Sequence, residues 1–484
     1  MRPFVVCCAL LISVTFFTSR SSIAQWRSDS LTNTPVAIAK HAQTHPKIAP
    51  DGAGGAYVVW QDIRTTYNWD IYAQHLDANG NRLWGEGGKA ICTAAFDQHT
   101  PIIIEDGLGG AFIVWEDDRN LGGSDIYAQH IQSDGSISYE ANGVAAGQAA
   151  REQQDAVIAL LKPGRAVVAF EDYRAPSSAA RPDVSLNVLT LSGPLYGSNA
   201  WEVVPSQGGQ REPRLIADNR GGALLAWESD YGVPGGVHAS LLDSSGALRW
   251  NGGGNIPGVQ IFKGLSSANY STNIGLGLSG EKFLMAWEVQ SQTSNIGKDI
   301  YANRISRTGD REWVSSIEVT SEWTSDQTNP SIVPDDSGGF IVIFEDYPGD
   351  FAPKYWNRDI VAVRFNANGS ERTPTYANGF FNIVKQSRAQ IGYQVVEESD
   401  RVYFAWDDAR ASTDDTAIYA QAIDRSMKRV YPSLGAASSW GKPIAVRTDA
   451  QQEHVTMCKR DGGGVFIAWT DNRNGNQDIY AQVM

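Results

Sequence analysis

Short apolar runs recur along this chain, each set between glycine-rich and polar stretches. Ala56-Tyr57-Val58-Val59-Trp60 is the first clear copy, and Ala111–Trp115, Ala223–Trp227, Phe340–Phe344 and Val465–Trp469 share its character. Five consecutive apolar positions, without alternation, predict a strand buried on both faces. Before the first copy lies a short extended run, His45–Ala49, and then the turn Asp51-Gly52-Ala53-Gly54-Gly55, whose glycines allow the positive φ that a tight hairpin needs. After it come a polar connection, a strand Ile71–Leu76, a second turn Asp77-Ala78-Asn79-Gly80 and a short strand Lys89–Thr93. One unit is therefore four antiparallel strands. No segment carries a convincing helical period.

Eight aromatic residues end the second strands: Trp60, Trp115, Phe170, Trp227, Trp287, Phe344, Trp406 and Trp469. Their spacing of roughly 55 to 63 residues marks a repeat array. A lone four-stranded sheet leaves both faces uncovered, so each copy needs a neighbour on either side. Radial stacking supplies two neighbours and shields the edges, whereas a linear solenoid leaves its end units bare. The termini discriminate. The last copy stops at Asp478–Met484 without a fourth strand, and Pro35–Lys40 resembles such a strand, as comparison with Lys442–Val446 shows. The expected fold is all-β, an eight-bladed β-propeller of four-stranded antiparallel blades, closed by the N-terminal strand at about residues 35–40.

Composition adds a compartment. Arg2, the apolar run Phe4–Phe17 and the ending Ser22-Ile23-Ala24 predict a signal peptide over 1–24, cleaved before Gln25, with residues 25–484 as one propeller domain. The run is too short to span a bilayer. A secreted or periplasmic monomer is expected, without membrane insertion and without an anchoring domain after the last blade. Loss of Arg2 and Arg20 takes the formal net charge from −14 to −16, the wrong sign for a nucleic acid or an anionic membrane surface. Cys92 and Cys458 fall on a fourth and a first strand, at different radii, so two free and mostly buried thiols are expected rather than a disulfide.

The phrase Trp-x-Asp-x-Arg followed by Asp-Ile-Tyr-Ala-Gln, clearest at 469–482, 60–74 and 115–129, resembles TolB-type propeller repeats across nearly the whole mature chain. That resemblance implies a blade and no reaction. The pairs Asp62 with Arg64, Asp117 with Arg119, Asp172 with Arg174, Asp408 with Arg410 and Asp471 with Arg473 are read as structural, because a catalytic site needs one asymmetric constellation. The Asp-x-x-Gly turns that lead to Trp84 and Trp250 resemble the tryptophan-docking turns of eight-bladed quinoprotein dehydrogenases. The adjacent cysteines of those enzymes are matched only by Cys7 and Cys8 inside the leader, so docking is kept and the cofactor dropped.

Candidate chemistry is sparse. Gln43, Gln98, Gln210 and Gln327 precede first strands and form a ring, either tying blade to blade or gripping a ligand. His45, His99 and His454 come from consecutive blades; each can cap its own loop, and three converging imidazoles would instead hold a metal ion at the central mouth; otherwise no cofactor is expected. The loop at 471–476 has an arginine where calcium needs an oxygen, and the S/T-x-D-x-G-x-x-W box of sialidase propellers is absent. The sequons at Asn269 and Asn368 carry no weight.

Asymmetry is concentrated in the connections between second and third strands, Ala175–Asp183, Ser229–Val237, Val289–Asp299 and Tyr347–Asp359. Trp323, Phe351, Tyr355 and Trp356 offer aromatic faces there, for a sugar or a peptide. The leading expectation is a non-catalytic propeller binding a protein or glycan at this loop face. Its alternatives are a glycoside hydrolase or lyase, which needs carboxylates with shifted pKa in the mouth, and a structural subunit of the cell envelope.

Overall fold

A computed structural model describes residues 26–484, except 28, 66, 121, 175–180, 204–207, 230–234, 251–257, 264–272, 291–296, 321–325, 348–357, 373–379, 387, 411–415 and 432–439. The leader therefore lies outside the described residues. The protein is an eight-bladed β-propeller. Blade 1 consists of Gln43–Pro50, Ala56–Asp62, Asp70–Leu76 and Lys89–Cys92, hydrogen-bonded in that order, and later blades repeat the meander. In blade 3 the outer position is shared by two short pieces, Gly193–Pro194 and Trp201–Glu202. The ring closes as the chain ends imply. Thr34–Ala37 pairs with Asp478–Val483 as the outer strand of blade 8, a little upstream of the expected span.

Each second strand is sandwiched between neighbouring sheets, which is why its apolar residues run consecutively. All eight aromatic anchors are shut off from solvent. Four of the hairpins between first and second strands, in blades 1, 2, 4 and 6, are each built on one aspartate. Asp51 Oδ1 accepts from the Ala53 and Gly55 N–H groups at 2.7 and 2.8 Å, and Asp106, Asp218 and Asp335 repeat the bond pattern. Gly55 is required because a Cβ there would stand 2.2 Å from the Leu76 carbonyl oxygen.

Tryptophan docking joins successive blades on the outer side. Trp26 donates to the Ala78 carbonyl and covers Gly80, Trp250 donates to the Arg307 carbonyl and covers Gly309, and Trp84 lies over Gly135. Cys92 is buried and Cys458 partly so, and both thiols are free.

Register fixes the two faces of the disc. Gln43 pairs with Asp62 and Gln98 with Asp117, so first strands start where second strands end. The connections leading into first strands therefore share a face with the connections leaving second strands. This is the loop face, and the two hairpins of each blade lie on the other.

Candidate functional site at the central mouth

The repeated Asp–Arg pairs are latches inside their own blades. Asp62 Oδ2 accepts from the Trp60 indole at 2.9 Å while Arg64 Nε donates to Oδ1 at 2.9 Å, and the guanidinium lies 3.7 Å over the Tyr72 ring and donates to the Gly87 carbonyl. Asp117 with Arg119, Asp408 with Arg410 and Asp471 with Arg473 copy this arrangement. Asp172 and Arg174 keep the pair, with Ser185 replacing the indole as donor.

The mouth is shaped by a feature one step inward. Every blade carries a residue in the left-handed region at the start of its first strand or, for Asn273, just before it: His45, Thr100, Asp155, Glu212, Asn273, Asn329, Gly392 and His454, with φ between 52° and 64°. Pairing with the second strand slips there in seven blades, for example between Thr44 and Lys47, which is a β-bulge. The bulge turns a backbone N–H toward the preceding blade, where the residue just after the aromatic anchor receives it. Gln61 accepts from Thr100, Glu116 from Asp155, Glu171 from Glu212, Glu288 from Asn329 and Asp407 from His454, at 2.6 to 3.1 Å. Glu345 is tied in the same way to Gly392. Six of the eight positions in this ring are acidic, in blades 2 to 7, and all six are buried.

Burial sets their protonation. Desolvation lifts Glu116, Glu171 and Glu345 above the usual carboxylate range although each accepts hydrogen bonds. Asp407 is pushed up to about 7, desolvation outweighing the N–H bonds from His454 and Val455. A group whose folded pKa exceeds its unfolded value of about 3.9 binds protons on folding, so its charge costs stability as pH rises from about 4 to 7. Asp407→Asn is expected to gain melting temperature over the parent across that window, with the difference level above it. Equal melting curves at pH 4 and 7.5 would remove Asp407 as the cause.

Blades 2 to 4 join their groups into one arc. His99 Nδ1 lies 3.4 Å from Glu116, which also accepts from the Asp155 N–H and bonds the Thr100 side chain. The adjoining Gln154 amide donates to Tyr173 Oη at 3.3 Å, and that hydroxyl donates to Glu171 at 3.0 Å. Glu171 receives the Glu212 N–H, and Glu212 is paired with Arg214 at 2.8 Å. Asp155 is exposed, while His99, Tyr173, Glu212 and Arg214 are half-buried. Burial and the adjacent Glu171 charge push the Tyr173 hydroxyl up to about 12, and burial with the nearby Glu212 charge raises Asp155. The arc thus presents carboxyls shifted upward by burial, a protonated phenol, an imidazole and a fixed cation on one side of the mouth. In blades 5 and 6, where the repeat phrase is broken, the ring acids meet cations instead: Lys298 with Glu288 at 2.8 Å and Arg358 with Glu345 at 3.4 Å.

No family model matches the chain, and no curated protein matches it. Among solved structures, a polysaccharide lyase described as PL25 ulvan lyase bound to -[GlcA(1-4)Rha3S]- superposes with a TM-score of 0.48 at 11% identity, over 95% of each chain. A protein of unknown function from Dyadobacter fermentans gives 0.43 at 10%, over 94% of this chain and 98% of that one. The α-L-arabinofuranosidase Arb93A of Fusarium graminearum gives 0.39 at 11%, over 69% and 92%. At such scores the likeness assigns no residue and no reaction to this chain.

Several sequence expectations change. Gln43, Gln98, Gln210 and Gln327 are fully buried, out of reach of a ligand. Gln43 and Gln98 donate their amides back to carbonyls of the connection just before them, as does Gln210, while Gln327 donates to Asp346. Blade-to-blade bonding uses the glutamine backbone, as from Gln43 N–H to the Gln477 carbonyl, and the acidic ring. The three histidines do not converge on an ion. His45 and His454 occupy bulge positions and stack with ring centroids 4.0 Å apart. His99 lies one residue earlier in its strand, so the period of two sends it elsewhere, to Glu116 and Asp118. Among the described residues no group of three His, Cys, Asp or Glu is placed to hold a metal. Desolvation and the neighbouring His454 pull His45 down to about 4. Trp323, Phe351, Tyr355 and Trp356 lie outside the described residues, as does most of each long connection.

The acidic ring was missed from sequence because it was hidden inside the anchor phrase. Its signal was present: the residue after the aromatic is Glu or Asp in six consecutive copies. The second signal is the left-handed position itself, where His, Asp, Asn or Gly stands in six copies, types that tolerate the conformation, and Thr or Glu in the other two.

Proposed function

We propose that the protein processes a glycan at the central mouth, cleaving it by acid–base chemistry on the arc from His99 to Arg214. One observation carries this reading: carboxyls raised by burial, a phenol and a guanidinium meet in a single hydrogen-bonded series open to solvent. A carboxyl raised by burial holds its proton to higher pH than a free one, which suits it to protonate a leaving oxygen, and the phenol and imidazole can relay that proton. Arg214 would neutralise charge developing on the sugar or carried by an acidic one. The apparent leader over residues 1–24 supports export to meet such a polymer.

A second reading also has an observation in its favour. Five acids of the ring, Glu116, Glu171, Glu288, Glu345 and Asp407, already hold the next blade, a structural duty that suits a non-catalytic propeller binding a glycan or protein at the same face. The mature protein, incubated with neutral and uronate-containing polysaccharides, separates the two. Cleavage is expected as new reducing ends, with ultraviolet absorbance of a conjugated double bond added if the reaction is an elimination. Tyr173→Phe and Arg214→Ala should each slow it at least about 100-fold. Retention of polymer without shortening would establish the binding reading, and full activity in both variants would move the chemistry away from this arc.

A further inference from the structure

On the hairpin face, away from the mouth, blades 2 and 3 enclose a cleft of about 510 Å³ whose lining includes Asp106, Leu108, His130, Ile137, Ser138 and Leu191. A first strand of eight residues separates it from His99, a span of roughly 25 Å. Within the cleft His130 Nε2 stands 2.8 Å from Asp106 Oδ2, and His130 Nδ1 stands 2.7 Å from Ser138 Oγ. His130 and Asp106 are buried, while Ser138 is exposed.

The partners decide the proton positions. A carboxylate only accepts, so Nε2 carries the hydrogen and donates it to Asp106. Nδ1 is then the basic nitrogen, and its neighbour Ser138 Oγ–H is the donor. We propose that Ser138, His130 and Asp106 form a nucleophilic relay that hydrolyses an acyl ester, a second activity independent of the mouth.

The rest of the propeller shows what is particular to blade 2. Blade 1 has the same pair, His75 Nε2 to Asp51 at 2.9 Å, but its Nδ1 faces the Ser133 carbonyl, which has no proton to give. In the other turns of this kind an arginine pairs with the aspartate instead, Arg364 from the same position in its own blade against Asp335 and Arg307 of the next blade against Asp218. The Asp–base pair is thus a framework element, and the hydroxyl is what blade 2 adds. Its placement is firm, because the Ser138 N–H is bonded to the His130 carbonyl across the hairpin. The relay meets the usual requirement of a nucleophile, a base and a group that orients the base, here with the two imidazole nitrogens exchanged relative to the familiar serine-hydrolase order.

In the reaction Ser138 Oγ adds to the ester carbonyl as its proton passes to His130 Nδ1. Collapse breaks the acyl–oxygen bond, and the departing alcohol takes that proton. Water then repeats the sequence on the acyl-serine, releasing the acid and restoring the hydroxyl. Asp106 stabilises the imidazolium, and the Gln132 amide and Ser133 hydroxyl in the same lining provide neutral donors for the oxyanion. Leu108, Ile137 and Leu191 supply an apolar wall for a short acyl chain.

Treatment of the mature protein with a fluorophosphonate probe, followed by peptide mass spectrometry, is expected to place the label on Ser138. Ser138→Ala should reduce hydrolysis of p-nitrophenyl butyrate at least about 100-fold with an unchanged melting temperature, since the side chain is exposed. Ser136→Ala, on the same hairpin, should stay within about two-fold of the parent. Absence of label, label on another residue, or equal turnover by parent and Ser138→Ala would overturn the proposal, whatever the polysaccharide assay shows.

Discussion

A chain begun at His41, without the closing strand, is expected to lose its cooperative melting transition and to self-associate. Thr34–Ala37 adds the outer strand of blade 8, with Thr34 opposite Ala481 and Pro35 opposite Tyr480. Val36 and Ala37 are fully buried and Trp26 nearly so, packed against Phe466 and capping Gly80 of blade 1. Apolar burial of these three side chains is worth on the order of 5 kcal/mol. Polar ties add to it: the Asn33 amide donates to the Ile444 carbonyl and to Gln482, and Arg473 donates to the Leu31 carbonyl and to Asn33. Their loss opens the ring at one joint and bares the edge of Asp478–Val483, a template for pairing with another chain. Differential scanning fluorimetry and size-exclusion chromatography read both effects. A synthetic peptide of residues 26–40 should restore the transition. A truncated chain that melts like the parent would show that the other contacts hold the ring unaided.

Asp117→Ala should be the most damaging single substitution among the latches, at about 3 kcal/mol. Four donors converge on this carboxylate: the Trp115 indole at 2.7 Å, the Arg119 N–H at 3.0 Å, Arg119 Nε at 2.8 Å and Nη2 at 2.6 Å. Truncation leaves the indole N–H without an acceptor in a site closed to water and leaves a guanidinium, half-covered by Tyr127, without its counter-charge. Asp117→Asn keeps one acceptor and should lose less. The exposed pair Arg447–Asp449 has the same bidentate form, yet Asp449→Ala should change little, because water and ions screen it. Urea titration of the three variants makes the comparison. Equal midpoints for Asp117→Ala and Asp449→Ala would mean that the buried latch contributes no more than the surface one.

Much of the architecture was legible without coordinates, because the features that specify it are local. Five-residue apolar runs report a strand covered on both sides, Asp51 and Gly55 report a hairpin, and the regular return of Trp60 and its equivalents reports stacked copies. The candidate site was legible only in part. Asp62 and Arg64 sit two residues apart in one loop, and their pairing follows from adjacency. The glutamines read as a ring that either ties blades together or grips a ligand, whereas the structure turns the amides of Gln43, Gln98 and Gln210 back into their own connections and that of Gln327 to Asp346. The histidines read either as caps of their own loops or, because their strands are neighbours, as a cluster, and a single-residue offset of His99 rules out the cluster.

The sequence by itself determined the repeat, the blade count, the closing role of the N-terminal strand and the two free thiols. These depend on pattern and order along the chain, which folding does not rearrange. Only the tertiary structure decided the mouth and the cleft. Glu116, Gln154, Tyr173 and Arg214 belong to three blades, and their meeting depends on a left-handed bulge that swings each first strand toward the preceding blade. Ser138, His130 and Asp106 come from one blade, but which imidazole nitrogen faces the hydroxyl is fixed by side-chain direction across a hairpin. Chemistry requires groups within about 3 Å, and at that range register and rotamer, rather than composition, determine what lies next to what.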